Sequence, residues 1–373
     1  MRALVYLGPG EVALQMRPVP GVDAPDRVRM RVVGTGICGT DRKILLGHFP
    51  AKPGVVLGHE SVGVVDACGS GVSSLVEGDR VVVDPTLSCG LCGPCRRGAT
   101  NFCHNKRGTE VGIDRDGTFA DYVVLPERFF HRIPEPLTLR EAVLIEPLAC
   151  VLNNLRAASL SYDDVVVILG AGPIGTLCGL VAGRTARRVA IAETDRYRLT
   201  AATARFQYVI DLAAGYTTEA VRTATGGSRP SVVIDTTGVG LETALELVDD
   251  GGRIVIMGFN STYRTTLSPL QLTNHGLSII GAGDYRAEAF PVAVDLAGEL
   301  TLADIVTHEY SLDHYPDAFA ILGNVLPGVL PEEPATPRYG AMKVVIRCHA
   351  GELDSHGWPA DLGCADRTRG SKR

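Results

Sequence analysis

The sequence predicts an α/β protein in two parts, a β-rich domain followed by a doubly wound parallel sheet, and three observations carry that prediction. At 373 residues the chain exceeds the size at which one hydrophobic core stops growing. Up to about residue 135, short β-like runs alternate with Gly and Pro turns. Between 165 and 283, short apolar runs instead alternate with helix-length segments, the pattern of βαβ units. The composition, 45% hydrophobic and 21% charged, is that of a globular protein rather than a disordered or fibrous one.

Taken in order, residues 1–9 read as a first strand, since Gly8-Pro9 cuts the apolar run too short for a signal-peptide core. Segments 28–33 and 62–65 continue the β-rich part, and 141–158, poor in breakers, reads as a helix linking the domains. Val165–Leu169, 189–192, Val232–Asp235, 254–257 and Ser278–Ile280 are the expected parallel strands. A helix over Ala289–Ala297 and a last strand at 342–346 suggest a return to the first domain. The expected organisation is a first domain over 1–152 with a loop lobe at 86–106, a second over 153–286, the return over 287–348, and a disordered polar tail over 349–373.

A net charge of −6 without a dense basic run excludes nucleic acid as a partner. No apolar run approaches the ~18 residues of a membrane helix, so no membrane is expected and the location expected is the cytoplasm.

Cys89, Cys92, Cys95 and Cys103 form C-x2-C-x2-C-x7-C, with Gly90, Gly93, Pro94 and Gly98 letting the loop curl about a centre. Four thiolates close a tetrahedral shell at about 2.3 Å with no position left for substrate, which makes a structural zinc the expected occupant. Disulfides and an iron–sulfur cluster are the competing explanations. Elsewhere Cys38, in Gly36-Ile37-Cys38-Gly39-Thr40-Asp41, is followed by Gly58-His59-Glu60 and later by Glu146. A Cys, a His and carboxylates give a mixed shell with an open position, as a catalytic zinc requires. Each residue alone would more often be packing; the combination carries the reading. Thr40, two residues beyond Cys38, can pass a proton from a bound alcohol or simply serve as a cap hydroxyl.

The strand Val165–Leu169 runs into Gly170-Ala171-Gly172-Pro173-Ile174-Gly175 and then a helical segment. In that context G-x-G-x-x-G is a dinucleotide-binding turn of a Rossmann domain, with Gly170, Gly172, Pro173, Ile174 and Gly175 around the pyrophosphate. Glu193, eighteen residues past Gly175, ends the next strand where a carboxylate meets ribose hydroxyls. It favours NAD over NADP, although Asp195 is a second candidate and Arg196 and Arg198 soften the discrimination.

Over roughly residues 1–348 these motifs, with Gly78-Asp79-Arg80-Val81 and Glu146-Pro147-Leu148, resemble the zinc-dependent medium-chain dehydrogenase/reductase superfamily. The resemblance implies a GroES-like β-barrel catalytic domain and a Rossmann domain with the cleft between them. It implies Cys38, His59 and Glu146 around the catalytic zinc, Glu60 as an alternative ligand, and the four cysteines around a second zinc. Glu146-Pro147 looks like the sorbitol, glucose and threonine dehydrogenase side. The stretch from Glu146 to Asn153 is similar to 2-deoxy-scyllo-inosamine dehydrogenases of aminoglycoside (antibiotic) biosynthesis. A cyclitol or aminocyclitol therefore ranks first as the small hydroxylated substrate, with a hexose or pentitol as the alternative. The expected reaction moves a hydride from a secondary alcohol to NAD(P). A zinc-free enone or quinone reductase and a catalytically silent protein are the rivals. A homodimer or homotetramer is expected.

Overall fold

A computed structural model describes residues 1–213, 218–323 and 340–348; the tail expected to be disordered lies outside them. Strands β1 (Arg2–Gly8) and β2 (Glu11–Met16) form a hairpin. Strands β3 (Arg27–Gly36), β4 (Glu60–Cys68), β5 (Arg80–Val83), β6 (Tyr122–Pro126) and β7 (Phe130–Arg132) build the first sheet. The long β3 carries register shifts at Arg29/Met30 and Val32/Gly34, the bulges that let one strand curve through a barrel-like sheet. Helix α1 (Gly39–Leu45) follows β3, and the short α2 (Gly93–Arg96) lies in the cysteine lobe.

The segment 141–158 is not one helix. Thr138 caps α3 (Leu139–Ala142) through a capping box with Glu141, and α4 (Ile145–Ala157) then starts afresh. Pro147 explains the restart, since its missing N–H costs nothing in a first turn and would break a helix running through from 139.

Six parallel strands make the second sheet, in the order β10-β9-β8-β11-β12-β13. They are β8 (Val165–Leu169), β9 (Arg188–Glu193), β10 (Val209–Asp211), β11 (Val232–Asp235), β12 (Arg253–Ile256) and β13 (Ser278–Ile280). The three-residue β10 has no counterpart in the sequence reading, being too short to show a period. Helices α5 (Pro173–Ala182), α6 (Arg196–Arg205), α7 (Thr218–Thr225), α8 (Leu241–Leu247) and α9 (Pro269–Asn274) connect these strands. Order reverses between β8 and β11, and the crevice outside their carboxyl ends is where such sheets bind ligands.

After β13, α10 (Ala289–Ala297) packs on α4, and β14 (Val306–Ser311), α11 (Tyr315–Ala320) and β15 (Lys343–Arg347) follow. Strand β15 lies between β14 and β3, so the chain's last described strand completes the first sheet. Among the described residues no helix is long and apolar enough to cross a membrane.

Strand β8 is buried on both faces, as a central parallel strand must be. Val166 and Ile168 join α4, α5 and α10, whereas Val167 and Leu169 join α7 and α8. The first sheet divides likewise: Val32, Val81, Val83, Val344 and Ile346 fill its own core with Met30, Phe119 and Phe129. Val33, Val62, Val82 and Val345, one residue out of phase, pack instead with α4.

Candidate active site

In the cysteine lobe, Cys92 precedes α2, Pro94 occupies its first turn, and a 3-10 turn over Thr100–Phe102 delivers Cys103. All four thiol sulfurs lie within 4.8 Å of one another. Cys92 Sγ is 3.4 Å from Cys95 Sγ and 3.9 Å from Cys103 Sγ. A tetrahedron with zinc–sulfur bonds of about 2.3 Å has sulfur–sulfur edges of about 3.8 Å, whereas a disulfide needs about 2.05 Å. The N–H groups of Leu91 and Cys92 donate to Cys89 Sγ at 3.4 Å each, and these bonds hold that thiol down to about 6. Thiols arranged this way, with backbone donors favouring the thiolate, fit a closed structural zinc site.

The second cluster forms where β3 ends and β4 begins, with Gly36 paired to Glu60. Cys38 precedes α1, and its N–H donates to the buried Asp41 carboxylate at 2.8 Å. Gly58 takes φ +92° against Phe119, a turn that a side chain would block, and sends His59 and Glu60 inward. The ligand atoms of Cys38, His59 and Glu60 lie within 4.8 Å of one another. Gly36 leaves room for this arrangement, because a Cβ at that position would stand 2.3 Å from Glu60 Oε2 and displace its carboxylate.

The resemblance puts Glu146 in the primary shell and Glu60 in reserve; in the structure it is Glu60 whose ligand atom lies within 4.8 Å of those of both Cys38 and His59. Glu146, on the first turn of α4, is buried and interacts electrostatically with His59 and Glu60, but it stands outside the group of three. Burial pushes its carboxyl up to about 7, against the pull of His59 and with a further push from Glu60. Burial alone would lower the basicity of His59, but Asp41 and Cys38 reverse that and raise it well above the usual value. Three buried carboxylates and a thiol around one imidazole form a donor set that suits a dication.

Two residues of this site carry no role in the sequence reading. Asp41 Oδ1 lies 3.7 Å from His59 Nδ1, beyond hydrogen-bond reach but close enough to act on the ring electrostatically. Lys343 is almost fully buried, donates to the Ile37 carbonyl at 3.2 Å and pairs with Glu60. A lysine inside an otherwise apolar strand was the available signal. Thr40 sits half-buried in the first turn of α1.

The glycine turn follows β8. Gly170 adopts φ +95°, and a Cβ on Gly175 would stand 1.8 Å from the Gly170 carbonyl oxygen. Gly172 precedes α5 without a side-chain cap, Pro173 occupies its first position and Ile174 its second, so the first N–H groups are left for an anion. Arg198 reaches the same turn, its Nη1 standing 3.1 Å from where a Cβ of Gly172 would be. Glu193 braces the turn from below: one carboxylate oxygen accepts from the Ala171 N–H at 2.7 Å, the other from Thr194 (2.7 Å) and Asp195 (2.9 Å). An oxygen holding one such bond can still accept a ribose hydroxyl. Asp195, the other acid considered, caps α6 by accepting from the Arg198 N–H at 3.0 Å.

Comparison with known proteins agrees with this geometry. The alcohol dehydrogenase GroES-like domain family matches residues 24–135, and the zinc-binding dehydrogenase family matches 173–299. The chain is 32% identical to D-xylulose reductase A of Aspergillus niger over 331 residues, 85% of this chain and 92% of the relative. It is 31% identical to the sorbitol dehydrogenase of Halalkalibacterium halodurans, over 86% of this chain and 95% of that one. The structure of an alcohol dehydrogenase, RspB, from Escherichia coli CFT073 in complex with NADH superposes with a TM-score of 0.81. It is 30% identical and covers 93% of this chain and 99% of that chain.

Proposed function

Because the chain belongs to the zinc-dependent medium-chain dehydrogenase/reductase superfamily, we propose that it is an NAD-dependent dehydrogenase acting on a secondary hydroxyl of an open-chain polyol or sugar. The observation that carries the reading is the cluster of the half-buried Cys38 with the buried His59 and Glu60, beside Glu146. Named relatives that reduce xylulose or oxidise sorbitol support polyols over the cyclitol or aminocyclitol ranked first from sequence, which none of the relatives compared supports.

Cys38, His59, Glu60 and Glu146 are the residues that would hold the catalytic zinc, and Cys89, Cys92, Cys95 and Cys103 the structural one. When bound, zinc supplies a Lewis acid for the substrate hydroxyl and the nicotinamide a hydride acceptor. Asp41 supplies a buried negative charge beside the His59 ring, Lys343 holds Glu60 close by, and Thr40 takes the hydroxyl proton outward. The α5 N-terminus and Arg198 bind the pyrophosphate, with Glu193 steadying the loop and meeting the ribose. The assembly we infer is a homodimer or homotetramer through β13, the edge strand of the second sheet.

The test is NADH formation by zinc-replete protein offered pentitols, hexitols, inositols, glucose, threonine and simple alcohols, with NAD or NADP, beside a Cys38→Ala variant. Turnover of a polyol that Cys38→Ala abolishes is the expected result. Turnover of none of them, with the metal retained, would overturn the reading.

A further inference from the structure

Residues 282–287 follow β13 on the nucleotide side, yet they take their polar partners from elsewhere. The Ala282 carbonyl accepts from the side-chain amides of Asn101 (2.7 Å) and Asn153 (3.2 Å). Gly283 O accepts from Asn154 at 3.1 Å, and Asp284 O from Asn153 at 2.9 Å. The Ala287 N–H donates to Thr100 Oγ1 at 2.8 Å. Lys106, which also pairs with Glu110 at 2.9 Å, pairs with the Asp284 carboxylate. The Tyr285 hydroxyl donates to Asp84 Oδ1 at 2.9 Å.

These partners come from three places that matter to the site. Thr100, Asn101 and Lys106 flank Cys103 of the cysteine lobe. Asn153 and Asn154 lie two turns beyond Glu146 on α4. Asp84 follows β5, and Tyr285 and Asp84 are both close enough to Glu146 to interact with it electrostatically. Asn101, Asn153, Asn154, Asp84 and Tyr285 are all buried, so separating them leaves polar groups unpaired away from water. A lobe that merely stapled its own loop would not need buried side chains reaching into the second domain.

We propose that segment 282–287 couples the cysteine lobe to the catalytic site, with Asn101 and Lys106 as positioning residues that set Tyr285 and the first turn of α4. The proposal rests on the reading of the site given above. The lobe then contributes to substrate handling as well as to stability, and the coupling is reciprocal: order at the cleft also favours order in the lobe.

The experiment uses the full chain loaded with zinc, as wild type, Asn101→Ala, Lys106→Met and the conservative Lys106→Arg. Hydrogen exchange is followed in peptides spanning 282–287 and 145–152, alongside zinc content and steady-state kinetics. Exchange in both peptides should quicken in Asn101→Ala and Lys106→Met with zinc content unchanged. KM for the alcohol should rise about tenfold, and Lys106→Arg should restore most of it. Unchanged exchange in both variants, or faster exchange with unaltered KM, overturns the proposal. Should the wild type turn over no alcohol, the functional reading fails, and the exchange comparison alone then decides whether the lobe and the cleft are coupled.

Discussion

Asp84 shows how burial sets the behaviour of a single group near the catalytic cluster. Its carboxyl accepts from the Thr86 N–H and the Tyr285 hydroxyl, but burial outweighs both bonds and pushes it up to about 7. The native state therefore holds a proton there that the unfolded chain releases near pH 4, so this group's contribution to stability falls as pH rises from about 4 to about 7. Asp84→Asn keeps an acceptor for Tyr285 and removes the titration. Thermal unfolding of the two zinc-loaded proteins should differ least at about pH 4, with the wild type falling progressively behind up to about pH 7. The gap is a few kcal/mol at most, at about 1.4 kcal/mol per pKa unit. Parallel melting curves across that range would mean the Asp84 carboxyl ionises normally. None of this was legible beforehand, because the sequence places Asp84 and Tyr285 some two hundred positions apart and only the fold joins them.

At the scale of elements, the turn between β8 and α5 is the part the sequence specified most fully. Three glycines at fixed offsets, of which Gly170 and Gly175 have a steric reason, leave few alternative backbones. Gly175→Ala should push the Gly170 carbonyl aside and weaken NADH binding by about ten- to a hundredfold, or roughly 1.4–2.8 kcal/mol, with zinc content unchanged. A titration by NADH fluorescence reads this directly, and an affinity within twofold of wild type would show that the turn absorbs the methyl group. Apart from β10, the strands of the second sheet were equally readable, since a short apolar run rich in β-branched residues between breakers favours a buried strand. The restart of α4 at Ile145 was less so, because helical composition on both sides hid the break that Pro147 requires. The surroundings of Glu60 were not readable at all. They depend on a Gly36 without a side chain and on Lys343, brought over by a strand nearly three hundred residues downstream.

For the whole molecule, the decisive feature is that the two domains, besides a core of their own in each, share a further apolar cluster. Val33, Val62, Val82 and Val345 of the first sheet share one apolar cluster with Val166, Ile168 and Ile234 of the second, through Leu148 and Val151 of α4 and Phe290 of α10. Unfolding either domain alone would expose half of that cluster, at about 25 cal/mol for each Å² of apolar surface bared, and would leave the Asn153 and Asn154 bonds to 282–284 broken. Two domains joined by a polar linker would melt separately; these should melt together. Calorimetry of the zinc-loaded protein should give one transition whose calorimetric and van't Hoff enthalpies agree. NADH, which on the proposed reading lies mainly in the second sheet's crevice, should at about a hundred times its dissociation constant move that entire transition upward, by about 2.7 kcal/mol of added stability. Two resolved transitions, with NADH shifting one of them, would show that α4 is a connector rather than a shared core.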